Sequence, residues 1–326
     1  MIKQKGLVIH PDELSDYWIE RILPTGLNLL GFHPEGGVTG GRPVYEAAEW
    51  IKEPETRRLL GVLADKGIDV EYEIHALSWL LPRDMFGRQP EWFRMNAGGV
   101  RANDYHFCHS NPEPLGYISE KAKKAAEIFN PTTRKHHLWL DDTADCDCHC
   151  PKCTELREEN GYTSSDVAMI VYNAVLDGVK SFDSNATQCY LAYHTTICAP
   201  EKVKPSEGIF LEYAPFNRDL DLALNDPSSD KNKKEIEAID GLFKVFPKER
   251  SKALDYWLDN SRNSGWKKPI QKMKFYRDAA KADIEFYNEK GFEAITNFAC
   301  FLGEEYYLQH GEHADIETYA GLFISV

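Results

Sequence analysis

Short, nearly continuous apolar runs recur along this chain from end to end. They fall at 6–10 (GLVIH), 27–33 (LNLLGFH), 69–76 (DVEYEIHA), 136–142 (HHLWLDD), 187–194 (TQCYLAYH), 208–216 (GIFLEYAPF), 252–259 (KALDYWLD) and 293–301 (EAITNFACF). Each is rich in β-branched and aromatic residues, as strands buried on both faces require. Between them lie stretches with helical spacing of apolar positions: SDYWIERI, VYEAAEWIKEPETRRLLGVLADKG, SEKAKKAAEIF, SSDVAMIVYNAVLDGVKSF, KNKKEIEAIDGLFKVF and PIQKMKFYRDAAKADIEFYNEKG. Several open on Ser or Asp and close on Lys-Gly or Asn, the residues that cap helices.

Eight strands alternating with helices predict an α/β chain folded as a single (β/α)8 (TIM) barrel over residues 1–326. The competing arrangement, an open doubly wound sheet, calls for a phosphate-binding loop after a strand. GGVTGG (36–41) has the glycines but neither the GxGxxG spacing nor the lysine of a P-loop. A ninth strand-like run, YHFCHSNPE (105–113), is placed in a long loop after the third strand (77–135), where it would line the pocket mouth. A Cys-rich loop at 143–153 follows the fourth strand.

In such a barrel the chemistry collects at the C-terminal strand ends. Those ends offer His10; His33, followed by Glu35; Glu73 and His75; Asp141 and Asp142; Tyr193 and His194; Glu212 and Tyr213, with Arg218 beyond; Asp255, Trp257 and Asp259; and Asn297. The long loop adds His109, Ser110 and Asn111. Each alone is an ordinary structural residue. Acids, imidazoles and aromatics at nearly every end are not what a bland barrel carries there.

Glycoside hydrolysis needs two carboxyl groups, one protonated and one ionised. Asp142, Asp141, Glu212 and Asp255 are the candidates, with Trp139 and Trp257 positioned to exclude water and stack on a ring. His10, His33, Glu73, His75, His109, Asn111, His194, Tyr213, Arg218, Trp257 and Asn297 are the candidate substrate-binding residues.

The formal charge of −14 at pH 7 narrows the partners, because nucleic acid and anionic membrane would both repel the chain. A carbohydrate, as substrate or bound ligand, is the expected partner, and a homo-oligomer whose second subunit completes the site stays open. No apolar stretch approaches the roughly 20 residues that span a bilayer. The first residues, MIKQKGLVIHPDELSDYW, fall straight into acids, unlike a signal peptide. A cytoplasmic protein is expected unless a leader has been removed.

The run CDCHCPKC places Cys146, Cys148, Cys150 and Cys153 within eight positions. A structural zinc site, disulfides and free thiols all remain open. Structural zinc usually draws its ligands from two separate segments, so a further ligand such as Cys108, Cys198 or a histidine enters the reading. No cofactor is required for the expected catalysis. A metal-dependent hydrolase is disfavoured by the lack of a strand-borne His-x-His.

FCHSNPE (107–113), CHCPKC (148–153) and EYAPFNRD (212–219) together resemble the barrels of domain of unknown function 4838. These are glycosidase-like domains related to family-67 α-glucuronidases and family-20 hexosaminidases. The resemblance runs from about the third strand to the end of the chain. It implies that Asp141 orients the substrate and that Asp142 is the acid. The hexosaminidases carry Glu at the latter position, one methylene longer, so the reach of Asp142 is in question. The resulting expectation is a glycoside hydrolase-like barrel; the alternative is a barrel that binds carbohydrate without turning it over.

Overall fold

All eight apolar runs form strands in the computed structural model, which describes residues 2–35, 41–143 and 147–325. They are β1 (Gln4–Ile9), β2 (Leu29–Phe32), β3 (Asp69–His75), β4 (Lys135–Trp139), β5 (Thr187–Ala192), β6 (Ile209–Tyr213), β7 (Lys252–Asp255) and β8 (Ala294–Phe298). They pair in parallel in chain order, and β8 returns to β1, closing a (β/α)8 barrel. Most of the strands stop short of the apolar runs that contain them. The tips, including His33, Asp141, Asp142, Tyr193 and His194, leave the ladder and form the rim.

Helices cover the barrel, and their breaks have local causes. The stretch after β2 divides into Arg42–Trp50 and Pro54–Asp65, because Pro54 lacks the N–H that would continue the first helix and fits the first turn of the second. The helix Ser164–Phe182 opens on a reciprocal cap. Thr163 Oγ1 accepts from the Asp166 N–H at 3.2 Å, and the Asp166 carboxylate accepts from the Thr163 N–H at 2.9 Å. The stretch before β8 is helical only from Arg277 to Lys290. YHFCHSNPE is not a strand; it is an irregular loop that ends in the helix Glu113–Ile128. None of the described helices is long and apolar enough to cross a membrane.

Two glycines set how closely the layers approach. Gly178 lets the helices Glu113–Ile128 and Ser164–Phe182 touch: a Cβ there would stand 2.1 Å from the Ser119 carbonyl oxygen. Gly31 on β2 leaves room inside the barrel for the Glu73 carboxyl, which a Cβ would meet at 2.7 Å. The apolar core lies mainly between strands and helices. The barrel interior carries a polar layer, and that layer changes where several expected site residues sit.

Candidate active site at the barrel mouth

At the C-terminal ends of the strands lies a cavity of about 390 Å³, within the size range of small-molecule sites. Three imidazoles from successive strand ends form part of its wall. His10 Nδ1 bonds the His33 carbonyl oxygen at 2.9 Å, His33 Nδ1 the Glu73 carbonyl at 2.7 Å, and His75 Nδ1 the Leu140 carbonyl at 2.6 Å. A carbonyl oxygen only accepts, so in each ring Nδ1 is the donor. In the neutral ring Nε2 is then an acceptor. Burial, with His75 and His10 nearby, holds His33 well below the usual imidazole range, so this ring is neutral.

His194 is the complement. The Asn217 side-chain amide donates to its Nδ1 at 3.0 Å, which leaves Nε2 to carry the proton and donate. Burial lowers its basicity. Its backbone lies in the left-handed region, φ 47°, a strained conformation of the kind found at functional sites.

The carboxyls of the mouth are Asp142, Asp259 and, at the exposed rim, Glu35. The Tyr193 hydroxyl donates to Asp142 Oδ1 at 3.3 Å. Asp259 caps a short helix, accepting from Ser261 Oγ at 2.6 Å and from the Arg262 N–H at 3.1 Å. Burial outweighs these donors and raises its carboxyl above the usual range. Trp139, Tyr256, Phe216 and Phe298 supply aromatic walls. Trp266, 56% exposed, stands where this cavity meets a second cleft of about 750 Å³ that shares His10 and Glu35.

Three of the four expected catalytic acids, Glu212, Asp255 and Asp141, are not at this mouth. Glu212 faces into the barrel but one layer too deep, fully buried. It accepts from His137 Nδ1 at 2.7 Å and Trp139 Nε1 at 2.8 Å, with Lys252 Nζ at 3.4 Å. Glu73 joins the same layer through Lys252, and so does Glu71, 3.0 Å from Lys252 Nζ and 3.1 Å from His137 Nε2. In this layer burial and the neighbouring Glu212 leave Glu73 at about 7, and the adjacent carboxylates hold His137 up near 9. His137 and Lys252 draw Glu212 down to about 2 against its burial. With Glu73 protonated, two carboxylates face two cations and the layer is neutral.

Asp255 is on the opposite face of its strand. Leu254 lines the mouth, so its neighbour points out to the helices. Asp255 Oδ2 takes Arg218 Nη1 at 2.9 Å and the Tyr287 hydroxyl at 2.7 Å, while Arg218 Nη2 reaches Asp283 at 2.6 Å and Trp257 Nε1 donates to Asp283 at 2.9 Å. Burial raises Asp255 to about 6, with Arg218 opposing, yet the group has no access to a ligand. Tyr213 packs on Tyr287 in this same outer layer. Asn297, fully buried, sits beside Asp255 in the strand register. Arg218, Trp257, Tyr213 and Asn297 are therefore structural, not mouth residues.

Asp141 is nearly buried and fastens the long loop. It accepts from Ser78 N–H and Oγ at 2.9 and 2.6 Å and from the His106 N–H at 2.7 Å, and it pairs with Arg83 at 3.2 Å. His109 Nε2 lies 3.4 Å from the Cys153 carbonyl, and Asn111 Oδ1 accepts from the Glu113 N–H at 3.0 Å. Both stand away from the cavity. Cys148, Cys150 and Cys153 cluster with Cys108, supplied by YHFCHSNPE; Cys146 lies outside the described residues. The mouth thus keeps His10, His33, His75, His194 and Asp142 of the expected set. It adds Tyr193, Tyr256, Asp259, Phe216 and Trp266. Alternation along the seventh run, counted outward from Leu254, was the signal available for Tyr256.

The protein is thus a closed, parallel (β/α)8 barrel that gathers imidazoles, carboxyls and aromatic rings at one end. The chain belongs to the family described as domain of unknown function (DUF4838), whose model matches residues 46–319. No curated protein matches it in sequence. Among solved structures it is similar to a β-N-acetylhexosaminidase, with 14% identity, a TM-score of 0.56, and coverage of 98% of this chain and 71% of that one. It is also similar to a GH20 exo-β-N-acetylglucosaminidase from Vibrio harveyi (11% identity, TM-score 0.54, 98% of this chain, 54% of that one). A third is a β-galactosidase from the psychrophilic Marinomonas ef1 (11%, 0.53, 98% and 58%). At these identities the likeness is one of fold. The chain spans about half the length of the Vibrio harveyi enzyme.

Proposed function

We propose that the mouth of this barrel binds a carbohydrate and cleaves a glycosidic bond, with Asp142 and Asp259 as its carboxyl pair. The observation that carries the reading is the row of three imidazoles whose Nδ1 atoms are committed to backbone carbonyls. It turns Nε2 acceptors toward the ligand, beside carboxylate oxygens and aromatic faces. A ligand that suits this lining carries several hydroxyl donors and an apolar ring face, as a sugar does. The adjoining cleft gives room for a further part of an extended ligand.

Asp259, whose carboxyl burial raises above the usual range, is the group that donates a proton to the departing oxygen, and Asp142, placed by Tyr193, attacks the sugar carbon or activates water there. This gives Asp142 the opposite role to the one the family resemblance implies. Support for the fold side comes from the hexosaminidase and galactosidase likenesses. A second reading, binding without turnover, is favoured by the engagement of Glu212 and Asp255 in ion networks elsewhere.

The test is a panel of aryl glycosides assayed with the wild type, Asp142→Asn and Asp259→Asn. Each substitution is expected to lower kcat about 10²–10⁴-fold. Rates should fall as pH rises along a limb above the usual carboxylate range, and Asp259→Asn should abolish that limb. Turnover unchanged in both variants rejects this pair. Sugar binding with no product over long incubation establishes the second reading instead.

A further inference from the structure

We infer that Cys108, Cys148, Cys150 and Cys153 hold one zinc ion, which fastens the loop after β3 to the loop after β4. Their ligand atoms all lie within 4.8 Å of one another. Cys108 Sγ stands 3.5 Å from Cys153 Sγ and 3.7 Å from Cys150 Sγ. Four sulfurs about 2.3 Å from a tetrahedral zinc are about 3.8 Å apart at the corners, so the knot has nearly the dimensions of a loaded site.

The surroundings suit thiolates. All four side chains are buried, at most 4% exposed, in a cluster separate from the main apolar core. The Met95 N–H donates to Cys148 Sγ and the Ser110 N–H to Cys153 Sγ, each at 3.3 Å. The Arg101 guanidinium lies against Cys108 and Cys150 and offsets part of the double negative charge of a zinc tetrathiolate. Binding exchanges four thiol protons, released to solvent, for one Zn²⁺, with no change of oxidation state.

Chain geometry also fits. Cys150-Pro-Lys-Cys153 is a knuckle at the start of the helix Pro151–Asn160, Cys148 precedes it, and Cys108 arrives from a separate segment. That supplies the two-segment wrapping that four thiols within CDCHCPKC could not easily give. Two residues before Cys108, the His106 N–H holds Asp141, so the ion would brace the segment that carries Asp142.

The inference does not depend on the carbohydrate reading, and its test reads metal rather than turnover. The full chain purified without chelator is expected to contain about one zinc per molecule by elemental analysis. Replacing the zinc with cobalt should give the intense absorption of a tetrahedral tetrathiolate. Cys108→Ser and Cys153→Ser should lose the metal, whereas Cys146→Ser and Cys198→Ser should keep it. Should the first two fold poorly, alkylation of the wild type still decides. The four thiols should resist the reagent until a chelator is added and then react together.

A wild type that takes up no zinc when it is supplied overturns the inference. So do disulfides among these cysteines in mass spectra, or zinc that survives Cys108→Ser and is lost in Cys146→Ser.

Discussion

An imidazole that gives its Nδ1 proton to a carbonyl has no tautomer left to choose, and His33 makes that bond at 2.7 Å while buried between two other imidazoles, His10 and His75. Protonating it would place a cation against His10 and His75 in a low-dielectric wall, so it acts as a fixed acceptor through the physiological range. Replacing it with an apolar residue of similar size leaves a bound hydroxyl without its partner, a loss of about 1–3 kcal/mol. For the best-bound sugar of a glycan screen, calorimetry on His33→Leu is expected to show Kd weakened roughly tenfold to a hundredfold. Unchanged affinity would remove His33 from the binding surface. Such a residue is legible in the sequence as a histidine at a strand end. Its direction and protonation come only from the strand beside it.

At the scale of elements, the sequence pattern reveals which segments are strands and helices, because burial on both faces and 3.6-residue periodicity are local properties. It does not reveal depth. Glu73 and His75 lie on one face of β3, two residues apart, yet one faces the charged layer and the other the mouth, since each step of two moves about 6.6 Å along a parallel strand. Nor does it settle facing where the ladder ends. KALDYWLD carries acids at both 255 and 259 near its strand end, and only the orientation of Leu254 shows which of them can reach a ligand. Helix contacts carry their own test. Gly178→Ala would gain up to about 1 kcal/mol of intrinsic helix propensity, but its methyl meets the backbone carbonyl of Ser119 at 2.1 Å, and carbonyls on a packed helix cannot step aside. A net destabilisation of about 1–3 kcal/mol is expected by chemical denaturation. A more stable variant would mean that the two helices can separate without cost.

For the whole molecule, the layer built by Glu71, Glu73, His137, Glu212 and Lys252 joins four strands around the barrel, and none of its members is assigned to chemistry. Lys252→Met would leave three buried carboxyls with one cation, and a loss of about 3–5 kcal/mol is expected. The same layer sets a pH dependence. His137 rises from 6.5 to about 9, so its contribution is complete below pH 6.5 and disappears as pH climbs through 9. Glu73, raised from 4.5 to about 7, acts in the same direction over the lower window. Glu212, lowered from 4.5 to about 2, contributes above 4.5 and loses that contribution as pH falls through 2. Thermal melts should therefore peak on the acid side of neutrality and decline toward pH 9. Melting temperatures that climb over that interval would contradict this assignment of charges.

The imidazole row has one more effect. Each ring hangs from a carbonyl belonging to the strand next door, or to the residue just beyond it, so the side chains continue the stitching between β1, β2, β3 and β4 past the point where main-chain pairing stops. Anything that grips those rings from above grips four staves at once. An occupied mouth is then also a tightened hoop across the first half of the barrel.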